Sequence, residues 1–256
     1  MKTKITALLV LLLLAVGLWA VLRPKSLGDE LSKKAEAGDA VAQSELGDRY
    51  DKGDGVQKDS AVAAKWYRKS AEQGNHWAQL SLGIKYEGGD GVQQDITEAV
   101  KWYRKSAEQG NQLAQEVLGD KHVYGNGVSR DSTQAVKWYR KSAEQGNASA
   151  QFNLGVHYAS GDGVLKDSAE AAKWFRKSAE QGNGGAQSKL GVIYSKGDGE
   201  QRDIVKAHAW YNNARANGNG FTETIDALEK SMTPEQKAEA TKLAREIFER
   251  IEAKKK

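Results

Sequence analysis

The sequence predicts an all-α fold, a superhelical solenoid of five helix-turn-helix repeats, and three observations lead there. The phrase KWYRKSAEQGN begins at Lys65, Lys101 and Lys137, returns as KWFRKSAEQGN from Lys173, and ends worn as HAWYNNARANGN from His208. At the same 36-residue step stand Trp66, Trp102, Trp138, Trp174 and Trp210, followed by Gly74, Gly110, Gly146, Gly182 and Gly218. A second set repeats in register with them: Ala42, Leu46 and Gly47 recur as far as Ala186, Leu190 and Gly191. Copies of this length and number, over residues 38–217, signal stacked supersecondary units that bury a shared core.

The elements follow in order. Residues 1–25 open with basic MKTK, and Ile5 to Leu22 carries one plainly polar side chain, Thr6. A helix of that length is about 27 Å long, close to the roughly 30 Å hydrocarbon layer of a bilayer. The segment is expected to be a signal peptide or an N-terminal membrane anchor. Ala15-Val16-Gly17 is a weak cleavage candidate and Trp19 a candidate interfacial residue. Either way the rest of the chain is expected to be exported, to the periplasm or beyond. Residues 26–37 then supply a half-repeat cap over the first full unit.

Each unit divides into helices A and B. In the second copy Asn75 caps helix A, which runs to about Glu87. Ala78, Leu82, Gly83 and Tyr86 share one face. The GGDGV stretch at 88–92 stops the helix, because glycine enters backbone regions closed to other residues. Asp95 then caps helix B, with Glu98 three residues later as in a capping box, repeated as Asp131/Gln134 and Asp167/Glu170. Ala99, Trp102, Tyr103 and Ser106 form its inward stripe, and Gly110 is the left-handed stop. Lys65, Arg68, Lys69 and Glu72 fall on the outer face, where a solvated charged stripe with an Arg68–Glu72 pair is expected. Beyond the repeats, residues 218–256 hold a short helix from Thr222 to Lys230 and a longer one opened by Thr233-Pro234-Glu235-Gln236. Its Ala240, Leu243, Ala244 and Ile247 are expected to cover the last repeat.

The stretch LGDRYDKGDGVQKDSAVAAKWYRKSAEQGN (46–75) resembles the Sel1-like repeat family, relatives of the tetratricopeptide repeats. The shared pattern is Leu-Gly, Tyr, G-x-G-V, Asp, Ala, Trp and a terminal Gly, and the resemblance covers most of the chain. It implies an α/α superhelix serving as an adaptor or regulatory platform. Two other roles come with the family: immunity proteins for secreted effectors, and a cysteine-rich group linked to β-lactam hydrolysis.

Composition narrows the function. With no cysteine there is no disulfide, thiolate metal site or cysteine nucleophile, and the cysteine-rich enzyme group is disfavoured. The net charge of +4 arises entirely in residues 1–25, from Lys2, Lys4, Arg23 and Lys25; the remainder holds 34 basic and 34 acidic residues. A nucleic-acid partner therefore lacks its electrostatic basis. His76, His122, His157 and His208 occupy different places in the repeat and are expected to be polar surface residues without metal spacing. The GDG segments at 53–55 and 161–163 lack the twelfth-position acid of a calcium loop and the lysine of a phosphate loop. No catalytic residue, cofactor or metal is expected, and the polar ends favour a monomer.

A partner is expected instead on the concave groove that the resemblance assigns to helix A. Its four outward positions read Val41, Ser44, Asp48 and Asp51 in copy one, then Trp77, Leu80, Ile84 and Glu87 in copy two. Copy three gives Leu113, Glu116, Asp120 and Val123; copy four Ser149, Phe152, Val156 and Ala159; copy five Gly185, Ser188, Val192 and Ser195. The residues expected to hold a peptide or protein ligand are Trp77, Leu80, Ile84, Glu116, Asp120, Phe152 and Val156. The aromatic members serve as anchors around an acidic centre.

Overall fold

The computed structural model describes residues 27–218 and 220–254, so the expected signal or anchor segment at 1–25 lies outside the described residues. The described chain is helical, without a strand, and forms α1 (Leu27–Glu36), α2 (Ala40–Lys52), α3 (Ser60–Glu72), α4 (His76–Gly88), α5 (Ile96–Glu108), α6 (Gln112–Tyr124) and α7 (Ser132–Glu144). It continues through α8 (Ala148–Ser160), α9 (Ser168–Ala179), α10 (Gly184–Lys196), α11 (Ile204–Ala216), α12 (Thr222–Glu229) and α13 (Pro234–Ala253). The chain divides between Gln93 and Gln94 into two compact units. The first holds α1–α4 and the second α5–α13.

Sequence-encoded caps set the helix ends. The side chains of Asp39, Asn75, Asn111, Asn147 and Asn183 accept from backbone amides of helix A, and those of Asp59, Asp95, Asp131, Asp167 and Asp203 do the same for helix B. Glu98 and Glu170 do not return the bond as expected; they pair with Lys101 (2.8 Å) and Lys173 (2.6 Å). A reciprocal capping box is present at Thr233/Gln236, where α13 begins.

The small residues of the repeat are spacing devices. Ala78, Ala99, Ala114, Ala135 and Ala150 are fully buried, as are Leu82, Leu118 and Leu154. A methyl group on Gly119 would stand 2.6 Å from the Tyr139 ring, so the glycine is what lets that ring lie against α6. Gly161 ends α8, and Gly163, two residues further on, is needed for a different reason. At φ +74° it lies so close to the start of α7 that a Cβ would meet the Ser132 carbonyl carbon at 2.3 Å.

Polar side chains tie the two helices of a repeat to each other and reach back to the repeat before. In the second unit Gln145 and Gln181 donate to Gln115 and Gln151 (2.7 and 2.8 Å), whose own amides donate to the carbonyls of Ala107 and Ala143 (3.0 Å each). Ser142 and Ser178 donate to the carbonyls of Gln112 and Ala148 (2.7 and 2.6 Å). The first unit has the same bonds, Gln73 to Gln43 and Ser70 to Ala40. In the fifth copy the odd residues are functional replacements: Asn217 donates to Gln187 (2.9 Å), Glu200 takes Arg176 (2.5 Å), and Asn213 donates to the Ala244 carbonyl of α13 (3.0 Å). Ala240, Ile247 and Ile251 of α13 are buried.

The outer face of helix B departs from the solvated stripe expected of it. Arg68, Arg140 and Arg176 reach the phenol oxygens of Tyr86, Tyr158 and Tyr194 in the next helix A, the latter two at 2.9 and 2.8 Å. Lys69, Lys105, Lys141 and Lys177 lie 4.0–4.4 Å over the rings of Trp66, Trp102, Trp138 and Trp174. Arg68 thus bonds a tyrosine rather than Glu72. The histidines also depart: His122, His157 and His208 are buried, because each occupies a packing position of the repeat. His208 is bonded to Glu229 of α12 (2.9 Å), and neither ring nitrogen of His122 has a partner.

Candidate functional site

A 13-residue helix A cannot present all four outward positions to solvent, since its buried stripe fixes the rotation. The first and third positions, seven residues apart, share one strip. There Val41 is 68% exposed, Trp77 51%, Ile84 54%, Leu113 41% and Val156 36%. The second and fourth positions turn toward neighbouring helices.

That rotation sorts the expected site residues. Trp77 and Ile84 stand open on α4, and the Trp77 ring lies 5.2 Å from His76. Leu80, between them in sequence, is 7% exposed and belongs to the core rather than to a groove. Phe152 is half-buried against Phe175 (5.8 Å between rings), and its ring edge lies near Gly185 of the next helix A. It is a packing residue rather than an anchor. Glu116 accepts from Asn147 (2.8 Å), the cap of α8, and burial is the main cause that raises its pKa. Asp120 accepts from the Tyr139 phenol (2.5 Å), whose own pKa is raised by burial first and then by that bond. Both carboxylates are engaged in holding the third repeat together, and Asp120 alone of the two stands at a position of the open strip. Val156 remains at the edge of exposure.

In the first unit the same strip combines Val41 and Asp48 on α2 with Trp77 and Ile84 on α4. Asp48 is half-buried and accepts from the Tyr67 phenol (2.7 Å). Lys85 of α4 crosses to Asp51 of α2 and also donates to Asp90 (2.5 Å), which ties the two helices side by side. Arg49 lies against Glu45 (3.4 Å). This Tyr–Asp link escapes sequence reading because Asp48 and Tyr67 are far apart in the chain and each looks like a solitary polar residue. Its traces in the sequence are the same pair at the same offset in the third copy, Asp120 and Tyr139, and the loss of both members to Val156 and Phe175 in the fourth.

Among the described residues no cluster of His, Asp and Glu is placed to hold a metal ion, and no helix is long and apolar enough to cross a membrane. The cavities at the surface are open troughs. One of about 400 Å³ is lined by Leu31, Val41, Glu45 and Arg49.

Comparison with known proteins agrees with the repeat frame. The family model described as Sel1 repeat matches residues 40–75, 78–111, 112–147, 148–183 and 185–219. The fold is similar to c5321, a protective antigen present in uropathogenic Escherichia coli strains displaying an SLR fold, with 37% identity and a TM-score of 0.77 over 88% of this chain. The chain spans about half, 48%, of that protein's length. It is also similar to a Sel1 repeat protein from Oxalobacter formigenes, at 37% identity and a TM-score of 0.70, over 81% of this chain and 85% of the other. Comparison with curated proteins gives no match.

Proposed function

The chain belongs to the Sel1 repeat family, and from that premise we propose that it is an exported, non-catalytic scaffold that docks a polypeptide partner on the outward strip of its A helices, centred on Trp77 and Ile84. Proteins built from these repeats are in general interaction scaffolds, which sets the class. The observation that carries the choice of face is where exposed apolar side chains fall. Of eight exposed large hydrophobic residues among those described, Val41, Trp77, Ile84, Leu113 and Val156 occupy the first and third outward positions of helix A. Scattered apolar side chains are normal on any surface, but in the first unit Val41, Trp77 and Ile84 are concentrated on one strip, which marks an interaction face. A tryptophan there supplies a large contact area at little entropic cost.

Export rests on the basic and apolar character of residues 1–25, and anchoring or cleavage of that segment decides whether the scaffold is held at a membrane. The test of docking is affinity capture from cell-envelope fractions with the full chain and with a Trp77→Ala/Ile84→Ala variant. The variant is expected to lose the captured partner while keeping its helical circular dichroism. A Lys65→Ala/Lys101→Ala variant on the helix B face is expected to retain it. Equal capture by the first variant removes this face from consideration.

A further inference from the structure

We infer that the occupant of the α2/α4 face is a polypeptide segment carrying Lys or Arg beside apolar side chains, an inference that rests on the docking reading above. The apolar half of the argument is Val41, Trp77 and Ile84, each at least half exposed on this face. The other half is how charge is distributed. At the first and third positions of the five A helices there is no Lys, Arg or His, whereas Asp48 and Asp120 are acidic. The cations repeated through the first four copies sit on helix B instead.

Within the first unit Arg49 is engaged with Glu45 and Lys85 with both Asp51 and Asp90, while Lys52, one turn beyond Asp48, is exposed at the end of α2. Asp48 differs. Its bond comes from the neutral phenol of Tyr67, and among the described residues it makes no ion pair. A carboxylate held by a phenol keeps its full charge and an oxygen lone pair free for a second donor. Asp48 occupies on α2 the same frame position that Ile84 occupies on α4. A cation arriving there meets a half-desolvated opposite charge next to apolar surface, where pairing is stronger than in open water. An acidic segment would meet repulsion at the same point, so the face discriminates as well as attracts.

The experiment uses the full chain and labelled peptides sharing one apolar core, flanked by Lys and Arg, by Ser, or by Glu, with binding read by fluorescence anisotropy. The basic peptide is expected to bind at least about tenfold more tightly than the serine version, and the acidic one more weakly still. Asp48→Asn keeps an acceptor for Tyr67 and is expected to bring the basic peptide to the serine level. Trp77→Ala is expected to weaken all versions alike. Equal binding of basic and serine peptides, with loss in Trp77→Ala, overturns the charge inference and leaves docking intact. Undiminished binding in Trp77→Ala overturns the docking reading itself. Absence of binding to every version overturns the inference as well.

Discussion

The third repeat (α6 and α7) and the fourth (α8 and α9) are built on the same frame, yet they resolve two packing problems differently. In the third, Tyr139 donates to Asp120 at 2.5 Å; at the equivalent positions of the fourth stand Phe175 and Val156, which need no such bond. That exchange is complete, because the hydroxyl and its acceptor disappear together. The second exchange is not. Tyr158 in the fourth repeat accepts from Arg140 at 2.9 Å, whereas the third repeat has His122, buried with both ring nitrogens unpartnered. Arg104, at the place of Arg140, is unchanged. Between these two repeats, then, the first exchange leaves no polar group unmatched and the second leaves the His122 ring without a partner.

The strongest way to break the comparison is at the turns. Gly163 faces backbone atoms of Ser132 and Thr133, while its counterpart Gly127 meets the Ile96 and Val100 side chains and one carbonyl. Gly163→Ala adds left-handed strain to an immovable clash and is expected to cost about 2–5 kcal/mol, read as a lowered urea midpoint. Gly127→Ala is expected to cost less, since a side chain can shift. Equal midpoints would show that the turns are not anchored as described. A smaller effect sharpens the Tyr–Asp exchange. Tyr139→Phe alone is expected to cost about 1–3 kcal/mol by stranding Asp120. Adding Asp120→Val, the pairing native to the fourth repeat, is expected to restore most of it, and a double-mutant cycle measures the coupling. The smallest effect is a gain. His122→Tyr gives Arg104 the phenol its equivalents bond and removes two orphaned nitrogens, for about 1 kcal/mol of stability. The gain should vanish in an Arg104→Ala background.

Much of the fold is legible in the sequence because the residues that make it are the extremes of size and shape. Ala78, Leu82, Gly110 and Trp102 repeat as columns, and small or apolar columns have few uses other than packing and turning. The junction bonds are less legible. Gln43, Gln115 and Gln151 read as surface residues, and only coordinates show them buried and tied to glutamines thirty positions on. Arg140 and Lys141 mislead in the same way: their work is done on Tyr158 and Trp138, across a loop and along a helix, in contacts that residue type does not announce. The proposed docking face is half legible. Trp77 and Ile84 are open as read, but Leu80 and Phe152 fall inward because four outward positions span more of the helix circumference than one free strip. Sequence spacing alone does not resolve a rotation of that size.

The amide pairs that close each junction carry a further consequence. In the first, third and fourth copies the glutamine of helix A takes the glutamine that follows helix B at the same offset, and reaches back to the carbonyl of an alanine in the element before it, so these cassettes of 36 residues present matching ends. Excising or duplicating a whole cassette by recombination regenerates a familiar seam rather than a novel one. The length of such a protein is accordingly free to drift between lineages while its local architecture stays put, and binding surfaces can be lengthened or trimmed in whole increments.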